Sequence, residues 1–463
     1  MSSRSISKSV LWQLGGKFAL QGIAFFTTPI FTRILTPADY GLTALYGSWE
    51  TIVSLFIGLQ TLKAIRNARI KLAPEKMDSF LSSIMTISVI SFMLFLCAAF
   101  FFNGFFSKIL GLRGDLVILL VVHSFCLYII SFFIEKLDQN KQVEKSALLS
   151  FSQSCAAIIL SMLFVLLSKN NKAVAKIYGN ALPIIFYGAT LLFVIYHKGR
   201  CLWNREWNKF CFIYSFPLII HAVAHLIFTQ SDRIMLNSMS GGQSLGIYSV
   251  AYNLCFVLTI IIGSLDASWT PFYYDFKKSG NIAEIQAHAG RMVKFFTGIS
   301  IGFILLSYDV YKLLAPESYW EGLKLLPFFT VANFFHFMYG FPGSFEFYNA
   351  RTKLIPLGTI AAALFNIIIN YLLIPNYGIT GAAIGTVAAF GLLFVFHDCM
   401  CRFVIRKDYE YKNFYGYFIG LAAVAAVCAF LYFFEVAWYI RWPVALLIAA
   451  MMIKDILKNR NIF

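Results

Sequence analysis

The sequence is poor in charged residues and lacks the motifs of several enzyme classes. Only 13% of its 463 residues are charged, whereas 59% are hydrophobic. It has no glycine-rich phosphate loop, which excludes an ATPase site of that type, and no H-E-x-x-H zinc motif. Its nine cysteines have the spacing of neither a disulfide framework nor a zinc site. The sequence therefore predicts no catalytic residue, no metal site and no enzyme activity.

The hydrophobic residues lie in about fourteen runs, each about 20 residues long and separated by short charged loops. A soluble protein of this length could not bury so much apolar surface. The loops average about a dozen residues, which leaves no room for a soluble catalytic domain. We therefore predict an all-α polytopic membrane protein with about 14 transmembrane helices.

Basic residues are concentrated in the N-terminal tail and in alternate loops, with five of them between Lys63 and Lys76. The positive-inside rule then places both termini in the cytoplasm. The first hydrophobic run is too long for a signal-peptide core, so we interpret it as the first helix. Much of the +16 net charge thus reports topology and indicates no nucleic-acid partner.

A short pattern recurs after about 200 residues, since Arg33 and its following isoleucine match Arg233 and the isoleucine after it. A glycine-containing turn follows each pair. Each copy holds six hydrophobic runs, and an even number makes the two copies parallel. The predicted parts are an N-terminal lobe at 1–200, a C-terminal lobe at 201–406 that shares a central cavity with it, and two additional helices at 407–463.

Polar residues follow one face of the first hydrophobic run. Gln13, Lys17 and Gln21 recur every four residues, and Arg33 extends roughly the same face. Because a charge in hydrocarbon is expensive, this face should turn towards a protein or water interior. Lys176, before the sixth helix, is a further inward-facing candidate. The pattern predicts a polar, partly cationic lining.

The corresponding run of the second copy carries titratable groups instead. Pro217 should bend this helix, because proline removes a backbone donor. His221, His225 and Asp232 follow on one side of it. Histidine titrates near neutral pH, and an intramembrane acid can take a proton or a sodium ion. The predicted coupling and gating residues are Glu50, Pro217, His221, His225, Asp232 and Asp266.

Duplicated halves with polar faces on equivalent helices are typical of an alternating-access transporter. A membrane-embedded glycosyl- or acyltransferase is the alternative from another class, with His221 and His225 as acid or base. Asn366 and Asn370, one turn apart, are suited to hydrogen bonds with a sugar or with a neighbouring helix.

Four stretches together resemble the bacterial polysaccharide flippases of the multidrug/oligosaccharidyl-lipid/polysaccharide exporter superfamily. They are "TRILTPADYG" from Thr32, "DRIMLN…LGIYSVAYNL" from Asp232, "PESYWEG" from Pro316 and "NYLLIPNYGITGAAIG" from Asn370. The resemblance extends over essentially the whole chain. It implies an inner-membrane flippase that moves an undecaprenyl-pyrophosphate-linked oligosaccharide to the periplasmic leaflet, for capsule or O-antigen synthesis.

The implied partners are this lipid-linked oligosaccharide, membrane lipids, and the polymerase and chain-length machinery, with no cofactor beyond a coupling proton or sodium ion. Basic and amide groups suit the anionic head of such a substrate. Alternatively, Arg33 and Arg233 extend to the outer interface. The alternative function in the same fold is a cation-coupled multidrug exporter. The predicted substrate-binding residues are Lys17, Arg33, Arg233, Lys176, Gln13 and Gln21.

Overall fold

The computed structural model describes residues 27–351, 354–406, 409–411, 414–434 and 436–458. All regular secondary structure within these ranges is helical. Eight of the described helices are long and apolar enough to cross a membrane, or nine if one bent pair counts as a single span. The predicted all-α polytopic fold class is confirmed.

Contacts divide the chain into two compact units, unit 1 at residues 1–226 and unit 2 at residues 227–463. The three-part division predicted from the sequence stays a prediction. Unit 1 contains α1 (27–34), α2 (Pro37–Gly58), α3 (Ala64–Lys71), α4 (Met77–Phe101), α5 (Asn103–Leu110), α6 (Gly114–Gln139), α7 (Val143–Leu167), α8 (Lys172–Gly199) and the first part of α9 (Arg205–Ser279).

Unit 2 continues α9 and ends with two helices that pack on its own core. Its further elements are α10 (Ile282–Leu314), a 3-10 helix (Glu317–Leu325), α11 (Leu326–Tyr348), α12 (Leu354–Cys399), a π-helix (Met400–Ile405), α13 (Gly416–Phe433) and α14 (Trp438–Lys458). Both α13 and α14 pack against α10, and α13 also packs against α11.

Two glycines divide the longest helices into spans. Helix α9 has 75 residues, and its backbone leaves helical torsion angles at Gly241, where φ is 84°. Helix α12 has 46 residues and breaks at Gly378, where φ is 52°. Positive φ is accessible to glycine without a side-chain clash. Pro217 lies within the helical part of α9 before Gly241, and the bend predicted there stays a prediction.

Helix α2 begins at Pro37, so it includes Tyr40 and the residues where the sequence predicted a turn after Arg33. Thr36 caps the helix, since the Asp39 amide donates to Thr36 Oγ1 at 3.1 Å and the Thr36 amide donates to the Asp39 carboxylate at 3.2 Å. Pro37 occupies the first helical position, where its missing N–H is harmless. The residues from 38 to 40 therefore form the first turn of α2 and not a loop.

A sharp bend ends α2. Leu59 and Gln60 both have positive φ, at 48° and 54°, and the following segment turns away by 60°. The ring of Tyr128 packs directly on Gly58, where a Cβ atom would lie only 2.3 Å from the ring. The Tyr128 hydroxyl is hydrogen-bonded to Thr61 just beyond the bend. Helix α6 therefore holds the bend in place.

An ion pair holds α14 against α10. The Arg441 guanidinium donates to Asp309 at 2.9 Å and to the Leu305 carbonyl at 3.1 Å. The Trp442 indole donates to the other Asp309 oxygen at 2.9 Å. The Arg441 side chain is 9% exposed, so its charge depends on these protein partners.

Substituting Asp309→Asn is expected to destabilise the protein by about 2 kcal/mol, because a buried guanidinium loses its counter-charge while the partly exposed site lets water replace some of it. Thermal unfolding of the purified full-length protein in detergent measures this. The matched control is Asp115→Asn, which removes an exposed pair with Arg113 and should change stability by less than about 1 kcal/mol. Equal effects of the two substitutions would contradict the assignment.

Candidate functional site

A cavity of about 270 Å³ lies in unit 1 beside the bend that ends α2. The groups around it are fixed, because Ser215 Oγ donates to the Gln60 carbonyl at 3.2 Å and Tyr128 is held by Thr61. Its polar lining consists of Thr51, Ser54, Gln60, Tyr128, Ser131 and His225. A discontinuous helix at a cavity is a common arrangement in transporter binding sites.

The lining of this cavity is mostly apolar surface with several polar groups in it, and it carries no carboxylate among the residues that the structure describes. Its hydroxyl, amide and imidazole groups can donate and accept hydrogen bonds. They suit the hydroxyl groups of a sugar or the oxygens of a phosphate, whereas a cationic ligand would find no counter-charge. The volume is just below the usual range of about 300–1,000 Å³ for small-molecule pockets. It fits one sugar ring or one diphosphate group.

Lys176 lies between two aromatic rings in unit 1. Its Nζ atom is 4.3 Å from the centre of the Phe31 ring and 4.7 Å from that of Tyr40. No ion pair or hydrogen bond of this ammonium group is found within the described parts of the chain. The ring faces attract the cation but do not accept its hydrogen bonds as an anion would. Lys176 is therefore a cation inside a helix bundle with no counter-ion among the described residues.

Glu50 contacts His123 in the interior of unit 1. Its Oε1 atom is 2.9 Å from His123 Nδ1, and the Tyr46 hydroxyl lies 3.2 Å from the same nitrogen. Glu50 Oε1 lacks hydrogen-bond geometry in this contact, so the nitrogen's hydrogen-bonding partner is Tyr46. His123 is 1% exposed and Glu50 is 15% exposed. The predicted acid thus has a titratable neighbour.

Asp232 is the centre of a buried hydrogen-bond network in unit 2. Asn370 Nδ2 donates to its Oδ1 at 2.6 Å, while Thr386 and Tyr248 hydroxyls donate to its Oδ2 at 2.7 and 3.0 Å. Asn366 Oδ1 accepts from Asn370 at 3.1 Å. The network joins α9 to both halves of α12. The two asparagines therefore form hydrogen bonds within the protein to a neighbouring helix. Of the two predicted partners, a sugar or a neighbouring helix, this is the second.

The remaining predicted residues occupy separate places. Arg33 is exposed and donates to the Pro29 carbonyl of its own helix at 2.9 Å. Arg233 stacks on Tyr252, 5.0 Å from the ring centre. Asp266 is half-buried beside Gly340, in unit 2. Gln13, Lys17 and Gln21 lie outside the described residues.

The two histidines of α9 differ in their surroundings. His225 is exposed and lines the cavity of unit 1. The Nδ1 atom of His221 is buried and has no hydrogen-bond partner among the described residues. Pro217 is exposed one turn before His221.

Sequence reasoning missed a second buried pair of acid and histidine. Glu346 and His397 lie in unit 2, with both Glu346 oxygens 2.9 Å from His397 Nδ1. Both side chains are 0% exposed. The sequence does contain a signal for this pair. Glu346 ends one hydrophobic run and His397 lies in another, and placing either residue in a membrane costs free energy.

Comparisons with known proteins give a consistent group of relatives. A family model described as "Polysaccharide biosynthesis protein" matches residues 6–274. The capsular polysaccharide biosynthesis protein CapF of Staphylococcus aureus is 23% identical over 385 residues, covering 78% of this chain and 90% of the relative. An uncharacterized membrane protein of Methanocaldococcus jannaschii is 22% identical over 439 residues, covering 88% and 86%.

Two solved structures are similar along nearly the whole chain. The lipid II flippase MurJ, in an inward closed conformation, superposes with a TM-score of 0.74 at 15% identity, covering 98% of this chain and 99% of that one. An inward-facing multidrug resistance MATE family transporter of the MOP superfamily gives 0.63 at 13% identity, covering 90% and 95%. At these identities the likeness shows a shared fold.

Proposed function

Because this chain belongs to the polysaccharide biosynthesis protein family, we propose that it flips a lipid-linked oligosaccharide across the bacterial inner membrane. The substrate is an undecaprenyl-pyrophosphate-linked repeat unit for capsule or O-antigen synthesis. It moves from the cytoplasmic to the periplasmic leaflet by alternating access, with both termini in the cytoplasm. The protein acts as a transporter and not as an enzyme.

The observation that carries this proposal is the cavity beside the α2 bend, whose polar groups include no carboxylate among the described residues. Its lining suits a sugar or phosphate, as its hydroxyl, amide and imidazole groups match those ligand atoms. A multidrug exporter of the same fold would need an acidic group to balance the charge of a cationic drug, which the aromatic ring of Tyr128 does not supply. The absence of a carboxylate among the cavity's described residues therefore favours the flippase over that alternative.

Lys176 supplies the positive charge that an anionic head group needs. Its ammonium group has two aromatic faces and no anion near it among the described residues, so a phosphate oxygen would complete its hydrogen bonding. The predicted orientation puts this end of α8 on the periplasmic side. We assign Lys176 to the binding of the diphosphate near the outer leaflet.

Coupling to a cation is assigned to Asp232. Hard cations prefer oxygen ligands, and the network offers oxygens from Asp232, Asn366, Asn370 and Thr386. Asn370 Oδ1 is buried without a hydrogen-bond partner among the described residues, so the oxygens present fit a sodium ion. These side chains would hold the ion, whose charge would offset that of the buried carboxylate.

Complementation tests the function. A strain that lacks its repeat-unit flippase should regain surface polymer when it expresses this chain together with the enzymes for a matched repeat unit. Gln60→Leu keeps the side-chain volume but removes a cavity amide, and should reduce polymer about threefold to tenfold. The control Gln142→Leu alters an exposed loop residue and should leave polymer unchanged. Failure of the wild-type chain with every matched repeat unit would contradict the proposal.

A further inference from the structure

Glu346 and His397 form a fully buried pair of titratable side chains that has no role in the function proposed above. Both Glu346 carboxylate oxygens lie 2.9 Å from His397 Nδ1, and neither side chain has any solvent exposure. His397 is the basic partner that the described structure places within 4.0 Å of this carboxylate. The other imidazole nitrogen, Nε2, is buried and has no hydrogen-bond partner among the described residues. When Nδ1 donates to Glu346, the Nε2 atom of His397 therefore has a lone pair that can accept a proton.

The net charge of the Glu346–His397 pair determines whether it can bind a proton. With an ionised carboxylate and a neutral imidazole, it has one uncompensated negative charge in a fully buried place. Such a charge is costly in a medium of low dielectric constant. One additional proton removes it and gives either an imidazolium–carboxylate pair or an imidazole beside a carboxylic acid. The enclosed geometry therefore favours the state with the additional proton.

The neighbouring groups that the structure describes do not supply this missing positive charge. Tyr339 packs on His397 with ring centres 4.8 Å apart, and Asp266 lies near that tyrosine. Cys401 Sγ is 3.9 Å from Glu346 Oε1 and donates towards it. These neighbours are neutral or acidic.

Two further acids lie near Cys401, and each is already paired. Asp398 is bonded to Arg402, and Glu410 is bonded to Lys277. Tyr409 donates to Asp398 at 2.7 Å, and burial beside this acid raises the pKa of its hydroxyl well above the ordinary value. Arg402 and Lys277 are therefore paired with other carboxylates. They do not neutralise Glu346.

Three segments of unit 2 meet at the His397 imidazole. Glu346 comes from α11, and His397 comes from the end of α12, directly before the π-helix. The start of α12 approaches from another side, since a Cβ atom at Gly358 would lie 2.3 Å from Nε2. π-helices occur frequently at functional sites, where the backbone has an alternative register. A charge change at this imidazole would therefore act on all three segments.

We propose that Glu346 and His397 form a proton-binding site of unit 2, separate from the cation site assigned to Asp232. A proton taken from water adds to His397 Nε2 or to the Glu346 carboxylate, and is returned to water when the segments around the pair separate. In the conformation described here the pair is closed to solvent, so loading requires movement. Its role in driving transport rests on the function proposed above, whereas proton binding itself does not.

Infrared difference spectroscopy of the purified full-length protein tests proton binding without any substrate. When the pH is lowered, the wild type should show the signal of a carboxyl or imidazole group that gains a proton. Glu346→Gln and His397→Gln should each remove this signal, and Asp309→Asn should keep it. Wild-type spectra that match those of both variants would overturn the site. If one variant fails to fold, the other gives the same comparison.

Transport by proteoliposomes tests the coupling role, with a fluorescent undecaprenyl-pyrophosphate-linked sugar as the probe. For one proton per substrate, a gradient of one pH unit should change wild-type accumulation about tenfold. Glu346→Gln should still equilibrate the probe but ignore the gradient. A variant that responds like the wild type would refute the coupling role. A wild type that does not move the probe would refute the proposed function, while the spectra still decide the proton site.

Discussion

Replacing Asp232 by alanine is expected to destabilise the protein by about 3–5 kcal/mol and to abolish transport. The substitution removes the acceptor of three buried hydrogen bonds, from Tyr248, Asn370 and Thr386. Each donor that loses its partner costs about 1–3 kcal/mol. Thermal unfolding of the purified protein and complementation measure the two effects. Asp275→Ala is the control on the same helix, because Asp275 is exposed and should tolerate the change.

The subtler change Asp232→Asn separates the structural role of Asp232 from cation binding. It keeps the volume and part of the hydrogen bonding but removes the negative charge. The wild type should gain about 1.4 kcal/mol of stability in sodium chloride, relative to choline chloride, when sodium is at ten times its Kd. The variant should gain none of it. A sodium-induced stabilisation that survives the substitution would place the sodium ion elsewhere.

Substituting Lys176→Met is expected to reduce transport about tenfold to hundredfold without loss of stability. A charged hydrogen bond to a phosphate contributes about 1.5–3 kcal/mol, which sets this range. Methionine fills the space between Phe31 and Tyr40 and has no buried charge to solvate, so unfolding should occur at the same or a higher temperature. Initial rates of probe transport and thermal unfolding measure the two quantities.

Two controls make the result for Lys176 specific. Lys176→Arg keeps the charge and should retain more transport than methionine. Lys169→Met makes the same change of charge at an exposed residue shortly before α8, and should leave the rate unchanged. If Lys176→Met transported the probe at the wild-type rate, Lys176 would have a purely structural role.

Hydrophobic runs and glycines were sufficient to predict much of the fold. The apolar segments gave the all-helical polytopic class, and the motifs gave the family resemblance, both of which are confirmed. Gly241 and Gly378 lie at the predicted interruptions between spans. These features are local, since each depends on the composition of one segment.

The hydrogen-bond partners of the polar residues could not be predicted from the sequence. Asp232 was predicted as a functional acid, but Asn370 and Thr386 follow it by 138 and 154 residues. Only the packing of α12 on α9 brings them together. The same holds for Glu346 and His397, which are 51 residues apart and belong to different helices. Helical periodicity selects a face of one helix and contains no information about which face it meets.

The bend after α2 has a consequence for protein engineering. Leu59 and Gln60 adopt the left-handed conformation that costs a residue with a side chain about 1–2 kcal/mol. Glycine would adopt it without that penalty, yet at position 60 it would also delete an amide from the cavity. A stabilised variant for structural work would therefore start with glycine at position 59, whose side chain does not line the cavity. Binding and stability therefore make opposite demands at position 60 but not at position 59.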